Sequence, residues 1–413
     1  MIQYEHFQLE NGLRVYINSD YSTPLVNMNI MYNVGAKHED ENKTGFAHLF
    51  EHLMFSGSRN IPNYDRPVEK AGGDNNAWTN NDVTDYYLTL PAQNIEIAFW
   101  LESDRMLELA FNQESLEVQK QVVVEEFKQR YLNQPYGDLW LLLRPLAFTV
   151  HPYKWNTIGK DISHIESATL EDVKNFFYSF YAPDNAVMTL SGNIHAEVVW
   201  NLSRKWFGDI PSRNVRKKTL PQEPEQKEKR TLHVVRNVPA HVICKAWHTC
   251  ARLDPHFYAN DLMTDLLAKG KSSRLYQRLV KQKKLFTSID CYLTGDVDHN
   301  LVVVKGRLHE GVSMESAESA INEELEKLKM EGPSSEEMEK IKQMAEAAIK
   351  FSEISIADKA MNLSYYATLG DADMVNRQLK DYHAVTAEHI RQEARRVFRE
   401  ENSVVLYYSK KEQ

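Results

Sequence analysis

Cysteine is scarce. Cys244, Cys250 and Cys291 are the only three, no two are spaced C-x-x-C, and their number is odd. This argues against a disulfide framework and against thiolate zinc ligands, and it fits reduced, structural thiols in a cytosol. Long apolar runs are missing as well. None approaches the roughly 18 residues that cross a bilayer as a helix, so no membrane span is expected. The opening residues, Met1-Ile2-Gln3-Tyr4-Glu5-His6, lack the basic-then-apolar pattern of a signal peptide. A cytoplasmic protein is expected, or a periplasmic one if the N-terminus is processed. Excess positive charge is also absent. A formal net charge of −9 argues against nucleic acid as a partner. It slightly favours basic peptides, although solubility alone is an equal reason for it. What is left is ordinary: 42% hydrophobic and 26% charged residues in a chain of 413, long enough for two domains with sizeable cores.

One pentad stands out from this plain background, His48-Leu49-Phe50-Glu51-His52. It reads H-x-x-E-H, the reverse of the H-E-x-x-H of common zinc proteases. On a helix, residues four apart lie about 40° apart around the axis and residues three apart about 60°. Both imidazoles then point to one side, with Glu51 beside them. Two neutral imidazoles can ligate one Zn²⁺, and a carboxylate next to the metal can take a proton from its water. The plain alternative is a helix with two surface histidines. The flanks argue against it. Leu25 to Tyr32 reads as a strand, with Val26, Met28, Ile30 and Tyr32 on one face and Asn27 and Asn29 on the other. Gly45-Phe46-Ala47 leads into the pentad, and Leu49, Phe50, Leu53 and Met54 make the rest of the helix apolar. Gly57 is expected to end it. A polar trio on an apolar helix implies burial, and buried polar groups need partners.

A tetrahedral catalytic zinc needs a third protein ligand and one open position. The stretch from about Ser115 to Tyr131 has no Pro or Gly and reads as a helix, with Ser115 as its N-cap. It carries Glu125 and Glu126. These point about 100° apart, so only one can face a metal, and spacing does not choose between them.

With these residues in view, the chain resembles the inverzincin family of zinc endopeptidases. That family includes pitrilysin, insulin-degrading enzyme and the β subunit of mitochondrial processing peptidase. Leu9-Glu10-Asn11-Gly12-Leu13-Arg14-Val15 resembles the family's opening strand and turn. His48, Glu51 and His52 match the inverted motif, and Glu126 matches its downstream glutamate ligand. Gly72 to Thr79, followed by Thr84-Asp85-Tyr86-Tyr87, resembles its substrate-binding edge strand. The likeness spans the whole chain, more weakly in the second half, and is that of a short, two-roll, bacterial-type member. Two departures matter. Gln119 stands where the family often has a supporting glutamate, which alters the surroundings of the zinc. In the second half, Ser272-Ser273-Arg274-Leu275 resembles the segment that precedes the family's active-site arginine and tyrosine. Those two fall on Val280 and Thr287, which cannot do the same work.

The halves repeat one another. Thr169-Leu170-Glu171-Asp172-Val173-Lys174-Asn175 opens a helix, and Asn185 to Ser191 follows as a strand. Thr386-Ala387-Glu388-His389-Ile390-Arg391-Gln392 opens another helix, and Asn402 to Ser409 follows as a strand. Each Thr is a sensible N-cap. Between the copies lies a charged, proline-containing stretch with Arg216-Lys217-Lys218 and Pro221 to Lys229. The expected division is a zinc-binding roll over 1–215, a linker over 216–230 and a metal-free roll over 231–413. The expected fold is α+β: two homologous α/β rolls, each an antiparallel sheet covered by helices. Aligning Gly57 with Gly270 sets His48 against Asp261, Glu51 against Thr264 and His52 against Asp265. The helix persists in the second copy without its ligands, so the architecture does not require them. His151, His164, His195, His233, His241, His248 and His256 stand singly and are expected to be structural.

The resulting expectation is a zinc endopeptidase. His48, His52 and Glu126 bind Zn²⁺, and Glu51 is the general base. An extended peptide adds as a strand beside Asn76, Ala77, Trp78 and Thr79. The resemblance implies a chamber built from two pairs of rolls. One chain has one pair, so a dimer is expected, either of two copies or with a non-identical, metal-free chain. The alternative is a non-catalytic scaffold or peptide-binding subunit of the same fold.

Overall fold

The computed structural model describes residues 1–216 and 218–412. Lys217 of the expected linker and Gln413 of the expected second roll lie outside the described residues. The chain divides into two compact units. The first comprises Met1–Gln129, Trp155–Leu220 and Ile349–Arg377, the second Arg130–Lys154, Pro221–Ala348 and Gln378–Gln413. Neither is continuous in sequence, which departs from the expected division at 216–230.

The first unit is built on strands β1 (Glu5–Gln8), β2 (Arg14–Ser19), β3 (Leu25–Tyr32), β4 (Asp74–Thr79), β5 (Thr84–Pro91) and β6 (Ala186–Gly192), in the order β1-β2-β6-β3-β5-β4. The second uses β7 (Arg230–Arg236), β8 (Val242–His248), β9 (Phe286–Leu293), β10 (Leu301–Leu308) and β11 (Ser403–Lys410), in the order β7-β11-β8-β10-β9. From β2 onward the two orders coincide, so the repeat is present in the topology. The sheets are mixed rather than purely antiparallel, because β2 and β6 run parallel, as do β7 and β11. The helices after Thr169 and Thr386 start where expected, Leu170–Phe180 and Ala387–Val397. Each Thr side chain accepts from a backbone N–H of the first turn. All three cysteines are free and buried.

Among the helices are α1 (Phe46–Leu53), α2 (Gln113–Phe127), α3 (Leu139–Ala147), α4 (Phe257–Ala268) and α5 (Ile356–Leu369). One face of the first sheet is apolar, with Val15, Met28, Ile30, Tyr86, Leu88 and Met188 buried. The opposite face carries Asn18, Asn27, Asn29, Asp85, Thr189 and Ser191, and these are buried too. The cover is α5, which packs on β3 and β6. Its Ser364 hydroxyl donates to Thr189 Oγ1 at 2.8 Å. Within the sheet, Asn27 donates to Thr89, Asn29 to Asp85 and Ser191 to Asn18. A polar face can be buried only when its groups find such partners. In the second unit both sheet faces are apolar. α4 packs on β9, and Leu139, Leu143 and Ala147 of α3 join Val242, Ala246, Val303, Val404 and Leu406 on the other face. Strands apolar on both sides demand two covers, and the first-half helix α3 supplies one of them in the second unit, whereas the second-half helix α5 covers the polar face of the first sheet. Pro221–Lys229 is pinned rather than loose. Glu223 accepts from the backbone N–H groups of Thr149, Val150 and His151, and Gln226 donates to Ser403. Among the described residues, no helix is long and apolar enough to cross a membrane.

Candidate metal centre

The pentad lies on α1, as its periodicity predicts. Phe46, Ala47, Leu49, Phe50 and Leu53 are buried, which leaves His48, Glu51 and His52 half-buried on the remaining face. The helix stops at Leu53, earlier than Gly57, and Gly57 takes a left-handed conformation in the turn that follows. α2 packs against α1. It begins at Gln113 with Asn112 as N-cap, whose side chain accepts from Glu114 N at 2.7 Å. Ser115 therefore sits inside the first turn and is not the cap. The regular helix ends at Phe127 and widens into a π-turn over Lys128–Leu132.

Three donor atoms converge between these helices. His48 Nε2 and His52 Nε2 are 3.3 Å apart, and each is 3.5 Å from Glu126 Oε2. Donors held at about 2.0–2.1 Å from a tetrahedral zinc lie roughly 3.3–3.4 Å from one another. The triangle thus has the dimensions and the donor chemistry that zinc requires. It is the one cluster of three or more His, Cys, Asp or Glu donors with this geometry among the described residues. Glu125 points elsewhere: its side chain is 61% exposed and pairs with Lys128 at 2.7 Å. Glu51, between the histidines, lies close enough to the buried Tyr86 and Tyr181 hydroxyls to add to the upward shift that burial imposes on both.

Sequence reasoning missed what lies beneath α1. The Tyr86 hydroxyl donates to the Phe50 carbonyl at 3.4 Å. The Arg105 guanidinium sits 4.4 Å from the Tyr86 ring and 4.5 Å from the Tyr64 ring. Arg105 also makes a bidentate contact with Glu102 at 2.6 and 2.7 Å, with both residues fully buried. The available signal was a Glu–Arg pair three apart on the helix Ile95–Leu107. Glu39 was missed as well. It is 3% exposed and accepts from Gly45 N and Ala47 N at the start of α1. Burial pushes its carboxyl up to about 8, against the opposing pull of those N–H groups.

β4 is an edge strand and packs beside α1. Asn80 N donates to Val83 O across the turn. By antiparallel alternation Trp78 and Asn76 then bond inward to β5, while Thr79, Ala77 and Asn75 turn their backbone groups to the open edge. The Ala77 N–H is held at 2.8 Å by the Asn76 side-chain oxygen, a contact that an added strand would have to displace. The Trp78 indole hydrogen-bonds Asp85, whose burial raises its carboxyl well above the ordinary range. Of the two departures in the second half, Val280 packs against the core and the Thr287 hydroxyl donates to Arg307 O.

A His, His, Glu triangle between two helices, beside an open strand edge of a helix-covered sheet, defines an α+β protein with a metal-ready site. Comparison with known proteins places it more closely. Residues 14–136 match the family described as Insulinase (Peptidase family M16), and residues 167–345 match the Peptidase M16 inactive domain. The zinc protease PqqE of Helicobacter pylori is 30% identical over 79% of this chain and 75% of its own length. The uncharacterized zinc protease YmxG of Bacillus subtilis is 23% identical over 97% of each chain. The crystal structure of a protease from Helicobacter pylori superposes with a TM-score of 0.93 at 26% identity, covering 99% of this chain and 100% of that one. The chain belongs to peptidase family M16, among relatives named zinc proteases.

Proposed function

We propose that the chain is a zinc-dependent endopeptidase, with His48, His52 and Glu126 as the ligands and Glu51 as the general base. The observation that carries this reading is the donor triangle, with sides of 3.3 to 3.5 Å. A zinc ion in such a site supplies Lewis acidity, lowering the pKa of water toward neutrality and polarising a carbonyl. The protein does the rest. The edge of β4 offers the backbone groups of Asn75, Ala77 and Thr79 to an extended peptide, and Asn76 and Trp78 flank it. This form of binding draws on main-chain hydrogen bonds, so peptides of many sequences fit. The Glu51 carboxylate takes the proton of the attacking water and passes it to the leaving amine. Peptides and unfolded segments are the substrate class. A second chain, identical or not, completes the site.

The test has two arms. Metal analysis of the wild-type protein should find one zinc per chain, and the His48→Ala, His52→Ala double variant should lose it. Glu51→Gln should keep zinc and lose about 10²–10⁴-fold in peptide hydrolysis. Full zinc in the double variant would falsify the ligand assignment. Wild-type turnover by Glu51→Gln would remove the general base from the scheme. One observation favours a second reading, a peptide-binding subunit without turnover: the match of residues 167–345 to the M16 inactive domain. The absence of any hydrolysis by zinc-loaded protein under all assembly states would select it.

A further inference from the structure

α1 is short, and its first turn carries backbone N–H groups with no partner inside the helix. The common remedy is an N-cap side chain. Here the N-cap is Gly45, at φ +90, and a Cβ at that position would lie 2.7 Å from the Ile158 carbonyl oxygen. No capping side chain fits there. Glu39 supplies the cap from outside the helix. One oxygen accepts from Gly45 N at 2.9 Å and the other from Ala47 N at 2.8 Å. Ala47 immediately precedes His48.

The segment that carries Glu39 is itself fixed. Ala36 N donates to Asn80 O at 3.1 Å and Lys37 N to Asn81 O at 2.9 Å. The Lys37 ammonium pairs with Asp82 at 2.8 Å, both side chains buried. A Cβ on Gly35 would lie 2.5 Å from Asn80 O and from Asp82 N, so only glycine allows this close approach. The Trp155 indole donates to Ala36 O at 2.9 Å, and the Lys218 ammonium donates to Glu39 O at 3.3 Å. Asn80 to Asp82 form the turn between β4 and β5. A continuous chain of contacts therefore runs from the edge hairpin through residues 35–39 to the first turn of α1.

We infer that Glu39 is a positioning residue of the metal site, whose carboxylate sets the start and pitch of α1 and so aims the His48 imidazole at Glu126. The inference rests on the zinc reading above. Glu39 touches neither the metal nor the substrate. It acts through the backbone of Ala47, and it ties that backbone to the hairpin whose edge would carry the peptide.

The test is zinc affinity. Glu39→Gln keeps size but turns an amide N–H₂ toward one of the two backbone donors. Competition with a chelating dye should show zinc held about 10- to 100-fold more weakly, the range expected when a group that orients a ligand is lost. The Co²⁺-substituted variant should also show an altered visible spectrum. Glu125→Gln, on the exposed face of α2, should change neither. If Glu39→Gln fails to fold, Glu39→Asp is the second variant. It keeps the carboxyl group but is one methylene short, and it should weaken zinc binding in the same direction. Wild-type zinc affinity and an unchanged Co²⁺ spectrum in a folded Glu39 variant, even one that melts earlier, would overturn the inference and leave Glu39 a purely structural cap. A wild-type chain that binds no zinc would instead overturn the functional reading on which it rests.

Discussion

Arg105 is a fully buried cation whose guanidinium is held by Glu102 and by the faces of Tyr64 and Tyr86. Removing one member of a buried ion pair leaves the other charge uncompensated, which typically costs about 3–5 kcal/mol. Arg105→Leu should lower stability by that amount in urea unfolding. Glu102→Gln, Arg105→Leu together should recover part of it. An unchanged unfolding midpoint in the single variant would show that the pair carries no such weight. Zinc loss should accompany the destabilisation, because Tyr86 links this group to the Phe50 carbonyl of α1. At this scale legibility in the sequence was uneven. His48, Glu51 and His52 could be placed on one helical face because the geometry of a single helix fixes their directions. Glu125 and Glu126 could not be told apart, because that choice depends on how α2 is rotated against α1, and rotation is a packing property. Lys128 at i+3 from Glu125 was the one local hint, and the structure uses it. Glu39 could not be found by spacing, since a cap supplied from outside the helix obeys no helical period.

At the scale of elements, α5 was the least legible. It lies in the second half of the sequence, yet it covers the polar face of the first sheet. Alternation in β3 separated Asn27 and Asn29 from the apolar face, and nothing local says that such a face will be buried. α5 is fastened at its first turn by Lys359, which pairs with Asp20 in the loop after β2. Hydrogen bonds from Lys359 and Ser22 hold the Asp20 carboxyl at about 2, below its ordinary 3.8. The native state therefore binds this proton more weakly than the unfolded chain does. The stabilisation is fully present above about pH 4 and is lost as pH falls through about 2. Asp20→Asn should accordingly melt below wild type at pH 7, with the gap closing as the pH approaches 2. A gap that stays constant across this window would mean that the pair does not fasten α5.

At the scale of the whole molecule, two sheets share one strand order but not one chemistry. In the second unit the positions aligned with the metal trio are spent on structure. Asp261 accepts from the Tyr382 hydroxyl at 2.5 Å, Thr264 donates to the Asp261 carbonyl at 2.8 Å, and Asp265 pairs with Lys269 at 2.7 Å. The repeat was legible because its capping threonines and strands recur in order. The exchange of α3 and α5 was not, since it depends on which distant sheet face lacks a cover. The resemblance places an arginine and a tyrosine where this chain has Val280 and Thr287. Val280 is packed against the core, and the Thr287 hydroxyl is already engaged with Arg307 O. Of the other donors nearby, Arg278 is bonded to Gln282 at 3.0 Å and Tyr292 packs against Trp140. On the proposed reading, Val280 and Thr287 cannot hold a peptide as the arginine and tyrosine of the resemblance would, so turnover should depend on a second chain. The measurement is peptide hydrolysis by the purified protein across a dilution series, with mass determined in solution at each concentration. Activity per chain should fall as any dimer dissociates. It should be weak throughout if the required partner is a different, metal-free chain that keeps the arginine and the tyrosine. Constant, robust turnover by a strict monomer would refute the shared site and return the search for the missing donors to this chain alone.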